Sequence, residues 1–168
     1  MPIPVRNFLF ALGATVVWFF IMRPFTPPNI IAFELAGTVD AAQAIISNWS
    51  AEQISNVRTG IYLDFVFIFA YCSAFMYASR AAAAFSGIDF FTTIAHQSAW
   101  VIWIAGTCDA IENICLLNAL NEITERNVAI AYYSATVKFS ILLVTLVFVL
   151  ICVTAGFFRK ITSQIAKK

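Results

Sequence analysis

Four long apolar stretches decide what this chain can fold into. They cover Phe8–Met22, Gly60–Ser79, Phe90–Cys108 and about Phe139–Phe158. Crossing the roughly 30 Å hydrocarbon core of a bilayer takes about 20 helical residues, and three of the stretches have that length. The first reaches it when Met1–Val5 also enter the membrane interface. Backbone groups in lipid must hydrogen-bond internally, and no period-two alternation is seen, so the stretches predict helices.

The scarcity of charge supports the same fold class. Only 11% of the 168 residues are charged and 61% are hydrophobic, whereas a soluble domain carries about 25% charged residues. So few charges do not cover a globule exposed to water. We therefore predict an all-α membrane protein, a four-transmembrane-helix bundle with an outer amphipathic loop helix.

One membrane domain is predicted over residues 1–168. Its helices are expected at about 4–22, 60–79, 88–120 and 128–158, with an outer loop over 23–59. No small-x-small cleavage signal follows the first stretch, so that stretch is interpreted as an uncleaved signal anchor. In the loop, Thr38 is expected to cap a short helix reaching Trp49. Ser50 and Gln53 have the spacing of a capping box that starts another helix. These loop helices are expected to lie along the membrane surface or to form a lid on the bundle. The alternative is a loop that covers the bundle and binds no ligand.

The distribution of Lys and Arg predicts the orientation. Six lie on the side of the two termini: Arg6, Arg80, Arg159, Lys160, Lys167 and Lys168. Three lie on the other side: Arg23, Arg58 and Arg126. The positive-inside rule then places both termini in the cytoplasm, in a multi-pass protein of the bacterial inner membrane. Of the nine acidic residues, only Asp89 falls on the cytoplasmic side.

Three polar residues of the third helix share one face. Asp109, Glu112 and Asn113 stand at i, i+3 and i+4. Ala105 and Gly106 lie one turn deeper on the same face, where small residues allow a neighbouring helix to approach. This face therefore points into the bundle.

Further charged residues are expected at the same height. Asp64 lies about one turn inside the outer end of the second helix, and Glu34 lies in an apolar piece of the outer loop. In a hairpin of the third and fourth helices, Lys138 is level with Asp109. Lys138 and Arg58 are the expected counter-charges. The predicted ligand-binding residues are Glu34, Asp64, Asp109, Glu112, Asn113 and Lys138.

Three short motifs carry a family resemblance. They are Phe33–Thr38, Leu63–Phe65 and Cys108–Asn113. Together they resemble an uncharacterised group of bacterial four-helix integral membrane proteins to which no activity is attached. The resemblance implies that these polar positions belong together, and it implies no reaction.

No cofactor is expected. His96 is the sole histidine, and its direction on the helix is about 140° from that of Asp109. The four cysteines form no C-x-x-C pair. The net charge of +1 does not suggest nucleic acid as a partner.

Three functions remain open. The acidic cluster at the outer face would bind a lipid, a small apolar molecule or a cation, with Ca²⁺ or Mg²⁺ preferred by its oxygen ligands. The second possibility is an accessory or assembly subunit of a larger membrane complex. The third is an enzyme whose paired carboxylates act on a lipid head group, although the absence of a catalytic motif favours a non-enzyme. Expected partners are membrane lipid and either a second copy or a larger complex. A purely structural polar network is the alternative to any site.

Overall fold

The computed structural model describes residues 3–165, and its architecture is helical. Helices make up 88% of it, and no residue from 3 to 165 is in a strand. The helices are α1 (Ile3–Met22), α2 (Ile30–Glu34), α3 (Val39–Ile46), α4 (Ala51–Ser86), α5 (Asp89–Ala119) and α6 (Glu125–Ile165). A 3₁₀ turn, Arg23–Phe25, follows α1. Lys167 and Lys168, which entered the charge count, lie outside the described residues.

The predicted all-helical class is confirmed. Four helices, α1 with its 3₁₀ turn, α4, α5 and α6, are long and apolar enough to cross a membrane. They alternate in direction, and α4 packs against α1, α5 and α6. We call the end that carries α2, α3 and the α5–α6 turn the loop end. The opposite end, where α1 begins and α6 finishes, is the terminal end.

The second long helix starts earlier than predicted. The expected bounds 60–79, with a loop over 23–59, are wrong, because α4 begins at Ala51. Ser50 and Gln53 do form the predicted capping box, and no Gly or Pro follows before Gly60 to stop the helix. A 36-residue helix is about 54 Å long, so α4 extends well beyond its apolar stretch.

The loop helix α3 begins as predicted and ends earlier. The Thr38 hydroxyl accepts a hydrogen bond from the Ala41 amide at 3.3 Å, which confirms Thr38 as the cap. The helix ends at Ile46 and not at Trp49. Instead, the buried Trp49 ring packs edge-on against Phe33 at 5.3 Å between ring centroids. This contact joins α2 and α3 to the core at the loop end.

Small residues bring α5 close to α4 at mid-height. Ala105 is fully buried. A Cβ added to Gly106 would lie 2.8 Å from Cys72 Sγ and 3.0 Å from Ile68 Cγ2. The close approach expected from Ala105 and Gly106 is therefore present. One turn nearer the loop end, the same face of α5 presents Asp109 to its neighbours.

Candidate functional site

A buried lysine lies at the centre of the polar cluster. Lys138 on α6 is 6% exposed. Its Nζ atom lies 2.9 Å from Asp109 Oδ1, 2.8 Å from Glu112 Oε2 and 3.7 Å from Glu34 Oε2. An ammonium group has three N–H donors, and three carboxylates surround this one. The ring of Phe139 also lies 4.7 Å from Nζ.

Both carboxyl oxygens of Asp109 have partners. Oδ1 accepts from Lys138, and Oδ2 accepts from the Tyr71 hydroxyl at 2.7 Å. Tyr71 is absent from the residues predicted for the site. It follows Asp64 by seven residues, which is nearly two helical turns, so the shared face on α4 was the signal in the sequence.

Asp64 and Asn113 form a second pair beside the first. The Asn113 amide donates to Asp64 Oδ2 at 2.7 Å and so connects α5 with α4. Asp64 is half-buried. No Lys or Arg among residues 3–165 lies within 4.0 Å of its carboxyl group. Asp64 is therefore the carboxyl of the cluster that has an amide partner and no cation.

Glu112 is the most deeply buried member. Its relative exposure is 0%, and within the described part of the chain neither carboxyl oxygen accepts a hydrogen bond of acceptable geometry. The Lys138 ammonium nevertheless forms an ion pair with Glu112, because its nitrogen lies only 2.8 Å from Oε2. Oε1 is buried and has no hydrogen-bond partner among residues 3–165, which is a costly state for a buried carboxyl group.

Glu34 reaches the cluster from the loop end. It is the last residue of α2, outside the four long helices. Burial raises the pKa of the Glu34 carboxyl above its ordinary value of 4.5, and the charge of Lys138 opposes that rise. The cluster thus takes one carboxyl from α2, one from α4 and two from α5, against one ammonium from α6.

Arg58 is not a counter-charge of this cluster. Its Nη2 atom donates to Asn121 Oδ1 at 2.9 Å, in the α5–α6 turn. Arg58 precedes Asp64 by six residues, nearly two turns nearer the loop end on α4. Its height on the helix therefore brings it to the turn and away from the carboxylates.

A cavity of about 300 Å³ adjoins the cluster. Its polar lining consists of Glu34, Asp64, Tyr71, Asp109, Asn113 and Lys138. Glu112 is behind this surface and does not line it. Apart from Thr26 and Gly60, the other lining side chains are apolar and come from α1, the 3₁₀ turn, α2, α4 and α6. Apolar walls with a few convergent polar groups are typical of small-molecule sites.

The cavity lies between α1 and α6, in front of α4. Phe19 of α1 and Phe139 and Leu142 of α6 line opposite sides, and α4 packs against both helices. Phe25 and α2 cover the loop end. A Cβ added to Gly60 would lie 2.9 Å from the Phe25 carbonyl oxygen, so a glycine allows the 3₁₀ turn to cross α4 closely at this cover.

The described residues contain no group of three or more His, Cys, Asp or Glu side chains arranged to hold a metal ion. Between Asp109 and Glu112 lies the ammonium of Lys138, which is where a cation shared by these carboxylates would bind. His96 is exposed on α5, and the four cysteines are free thiols. Chemically, the cavity offers carboxylate acceptors beside an apolar surface.

Comparisons of the chain with protein-family models, curated proteins and solved structures find no match. Function is therefore inferred from the geometry of this site.

Proposed function

We propose that the protein binds a small amphipathic amine in a membrane, with the cationic nitrogen at Asp64 and the apolar part in the cavity. The observation that carries this proposal is the combination found at Asp64: the carboxyl lines an apolar cavity and has an amide partner but no cation. A ligand amine would supply the missing charge-assisted hydrogen bond.

The charge of the whole cluster favours a cationic ligand over an anionic one. The cluster contains four carboxyl groups and a single ammonium group. Like charges in a poorly hydrated site repel strongly, and an added amine offsets part of that repulsion. A ligand carboxylate or phosphate would increase it.

Membrane insertion of α1, α4, α5 and α6 is part of the proposal. With both termini cytoplasmic, the cavity lies at the level of the outer leaflet. Two of its lining residues, Phe19 and Phe139, are 55% and 38% exposed, and they would contact acyl chains. The ligand would then reach Asp64 sideways from the bilayer, between α1 and α6. Apolar walls and an aromatic rim suit a molecule already dissolved in lipid.

Thermal melting of the purified chain in detergent tests the proposal. Primary alkylamines and alkanols of equal chain length are compared as added probes, with Ca²⁺ and Mg²⁺ as further additions. An amine present at about 100 times its dissociation constant should stabilise the fold by about 2.7 kcal/mol. Asp64→Asn should keep the fold and lose this response. Asp40→Asn is the matched control, because Asp40 is exposed on α3 and does not line the cavity.

Three other outcomes would reject the amine. Equal stabilisation by alkanols would indicate a neutral head group, and stabilisation by Ca²⁺ or Mg²⁺ alone would indicate an ion site. No response to any probe, with stoichiometric co-purification of another membrane protein, would favour an accessory subunit.

A further inference from the structure

A second hollow lies between α1 and α4, towards the terminal end. This α1–α4 groove has a volume of about 680 Å³ and is lined by Arg6, Phe10, Ala14, Trp18, Phe69 and Tyr77, among others. It shares no lining residue with the amine cavity.

One end of the groove is cationic. Arg6 lines it and, among residues 3–165, forms no ion pair within 4.0 Å. Tyr77 lines the same end, and the guanidinium carbon of Arg80 lies 6.0 Å from its ring centroid. The Arg80 Nε atom is buried without a hydrogen-bond partner in the described chain. Arg6 therefore lines this end of the groove, and Arg80 lies next to the lining residue Tyr77 without lining the groove itself.

Beyond Arg6, Asn7 and Tyr77, the groove lining is mostly apolar, with Ser73 and the Trp18 indole as its other polar groups. Phe10 and Phe69 contribute walls, and Ala14 contributes a small floor residue. At the far end, the Trp18 indole donates to the Leu63 carbonyl at 2.9 Å and joins α1 to α4. From Arg6 to Trp18 the helix rises about 18 Å. This length suits the proximal part of one extended acyl chain.

Arg159 and Lys160, two other cations at the described terminal end, already have partners. Arg159 donates to the carbonyls of Ser86 and Gly87, and Lys160 lies 4.2 Å from the centroid of the Phe85 ring. Asp89 is the acid at this end within the described range. Within residues 3–165, Arg6 is thus a cation of this end without an ion pair, and Arg80 has the ring of Tyr77 as its neighbour.

We propose that the α1–α4 groove binds one anionic phospholipid, with its phosphate between Arg6 and Arg80 and an acyl chain along Phe10, Ala14 and Phe69. Guanidinium groups match phosphate oxygens in shape and charge, and each buried methylene of the chain adds apolar contact. The proposal shares membrane insertion with the proposed function and is independent of Asp64.

Lipid retention measured by native mass spectrometry of the detergent-solubilised chain tests this site. Phosphatidylglycerol should be retained as a single copy, at least tenfold more tightly than phosphatidylcholine. The double variant Arg6→Gln with Arg80→Gln should abolish that preference, so that both lipids are retained about equally. Arg23→Gln with Lys160→Gln is the control, since it removes the same net charge elsewhere. Equal retention of both lipids by the wild type would overturn the proposal, and so would an unchanged preference in the arginine variant.

Two further experiments distinguish a site for a whole phospholipid from a site that binds only its phosphate group. Ala14→Phe should fill the groove and weaken phosphatidylglycerol retention severalfold, while Val17→Phe should not, because Val17 is 60% exposed and outside the groove. Soluble glycerol phosphate should not displace the lipid. Displacement by glycerol phosphate, or equal effects of the two Phe variants, would contradict a lipid site. Asp64→Asn should leave lipid retention unchanged, so the two proposals fail separately.

Discussion

At the loop end the helices meet around a buried lysine and its carboxylates, whereas at the terminal end they meet through small side chains. Lys138, Asp109 and Glu112 connect α5 with α6 by ion pairs. At the terminal end the core consists of Ala82, Ala83, Ala95 and Cys152, with phenylalanines packed against it.

The buried polar groups of the two ends also differ in where they find partners. Towards the terminal end, the hydroxyls of Ser79, Ser86 and Thr145 donate to carbonyls of their own helices. Such groups need no neighbouring helix. The ion pairs and the hydrogen bonds of the Lys138 and Asp109 side chains, in contrast, are made with other helices. Buried charges of this kind, in helices long and apolar enough to cross a membrane, make the loop end the candidate for a functional site.

Removing Lys138 should have the largest effect. Lys138→Met leaves the carboxyls of Asp109 and Glu112 buried without their cation, at an expected cost of about 3–5 kcal/mol of unfolding free energy. The measurement is unfolding in mixed micelles. Lys160→Met, at the terminal end, is the control and should cost little.

The double variant Lys138→Met with Asp109→Leu sharpens this test. It should recover only part of the loss, because Glu112 stays buried and unpaired. Strictly additive losses would show that Lys138 and Asp109 do not stabilise each other.

Tyr71→Phe should come next in size. The change removes the hydroxyl that donates to Asp109 Oδ2, and a hydrogen bond to a charged group contributes about 1.5–3 kcal/mol. Tyr62→Phe is the matched control, because Tyr62 is exposed on the same helix. Equal melting temperatures of the two variants would exclude a stabilising role for the Tyr71 hydroxyl.

At the terminal end, Gly156→Ala should destabilise by packing alone. The added Cβ would collide with the Phe85 ring and lie 2.9 Å from the Phe85 carbonyl oxygen. Overpacking of this kind costs about 1–3 kcal/mol. Gly13→Ala is the control, since nothing lies within 4 Å of its added Cβ, and it should be neutral or slightly stabilising. Gly156→Ala should leave the response to amines intact; its loss would mean that the two ends are coupled.

The smallest effect is the pH dependence contributed by Glu34. Burial raises the pKa of Glu34 in the folded state above the ordinary value of 4.5. Above pH 4.5, the folded chain therefore keeps a proton that the unfolded chain has already released. This contribution to stability is complete below pH 4.5 and is lost as pH rises through the folded pKa. Glu34→Gln should flatten that part of the melting profile, and Glu122→Gln, an exposed control, should not. An unchanged slope in Glu34→Gln would contradict the assignment.

The helix contacts at the terminal end are harder to predict from the sequence than the polar cluster at the loop end. Apolar length predicts the long helices, and the spacing of Asp109, Glu112 and Asn113 predicts their common face. The contact between Gly156 and Phe85 depends on how two helices approach, which no local pattern of either helix contains.

Other features of the loop end also needed three-dimensional information. Tyr71 shares a helical face with Asp64, yet its hydroxyl was not distinguishable from that of an ordinary lipid-facing tyrosine. Arg58 was expected beside the carboxylates as a counter-charge, and its height on α4 brings it to Asn121 instead. The cavity depends on how α1 and α6 sit on α4, which sequence spacing does not specify.

The order in which the cluster residues appear along the chain has a consequence for synthesis. Glu34, Asp64, Asp109 and Glu112 all precede Lys138, so the ribosome delivers every acid before the cation. Under the proposed membrane insertion, the acids of α4 and α5 would cost up to about 2.5–3.5 kcal/mol each, the value for the centre of a membrane helix, until α6 supplies Lys138. We therefore expect the addition of the last helix to stabilise the inserted chain, and chains truncated before residue 138 to be substrates for quality-control proteolysis.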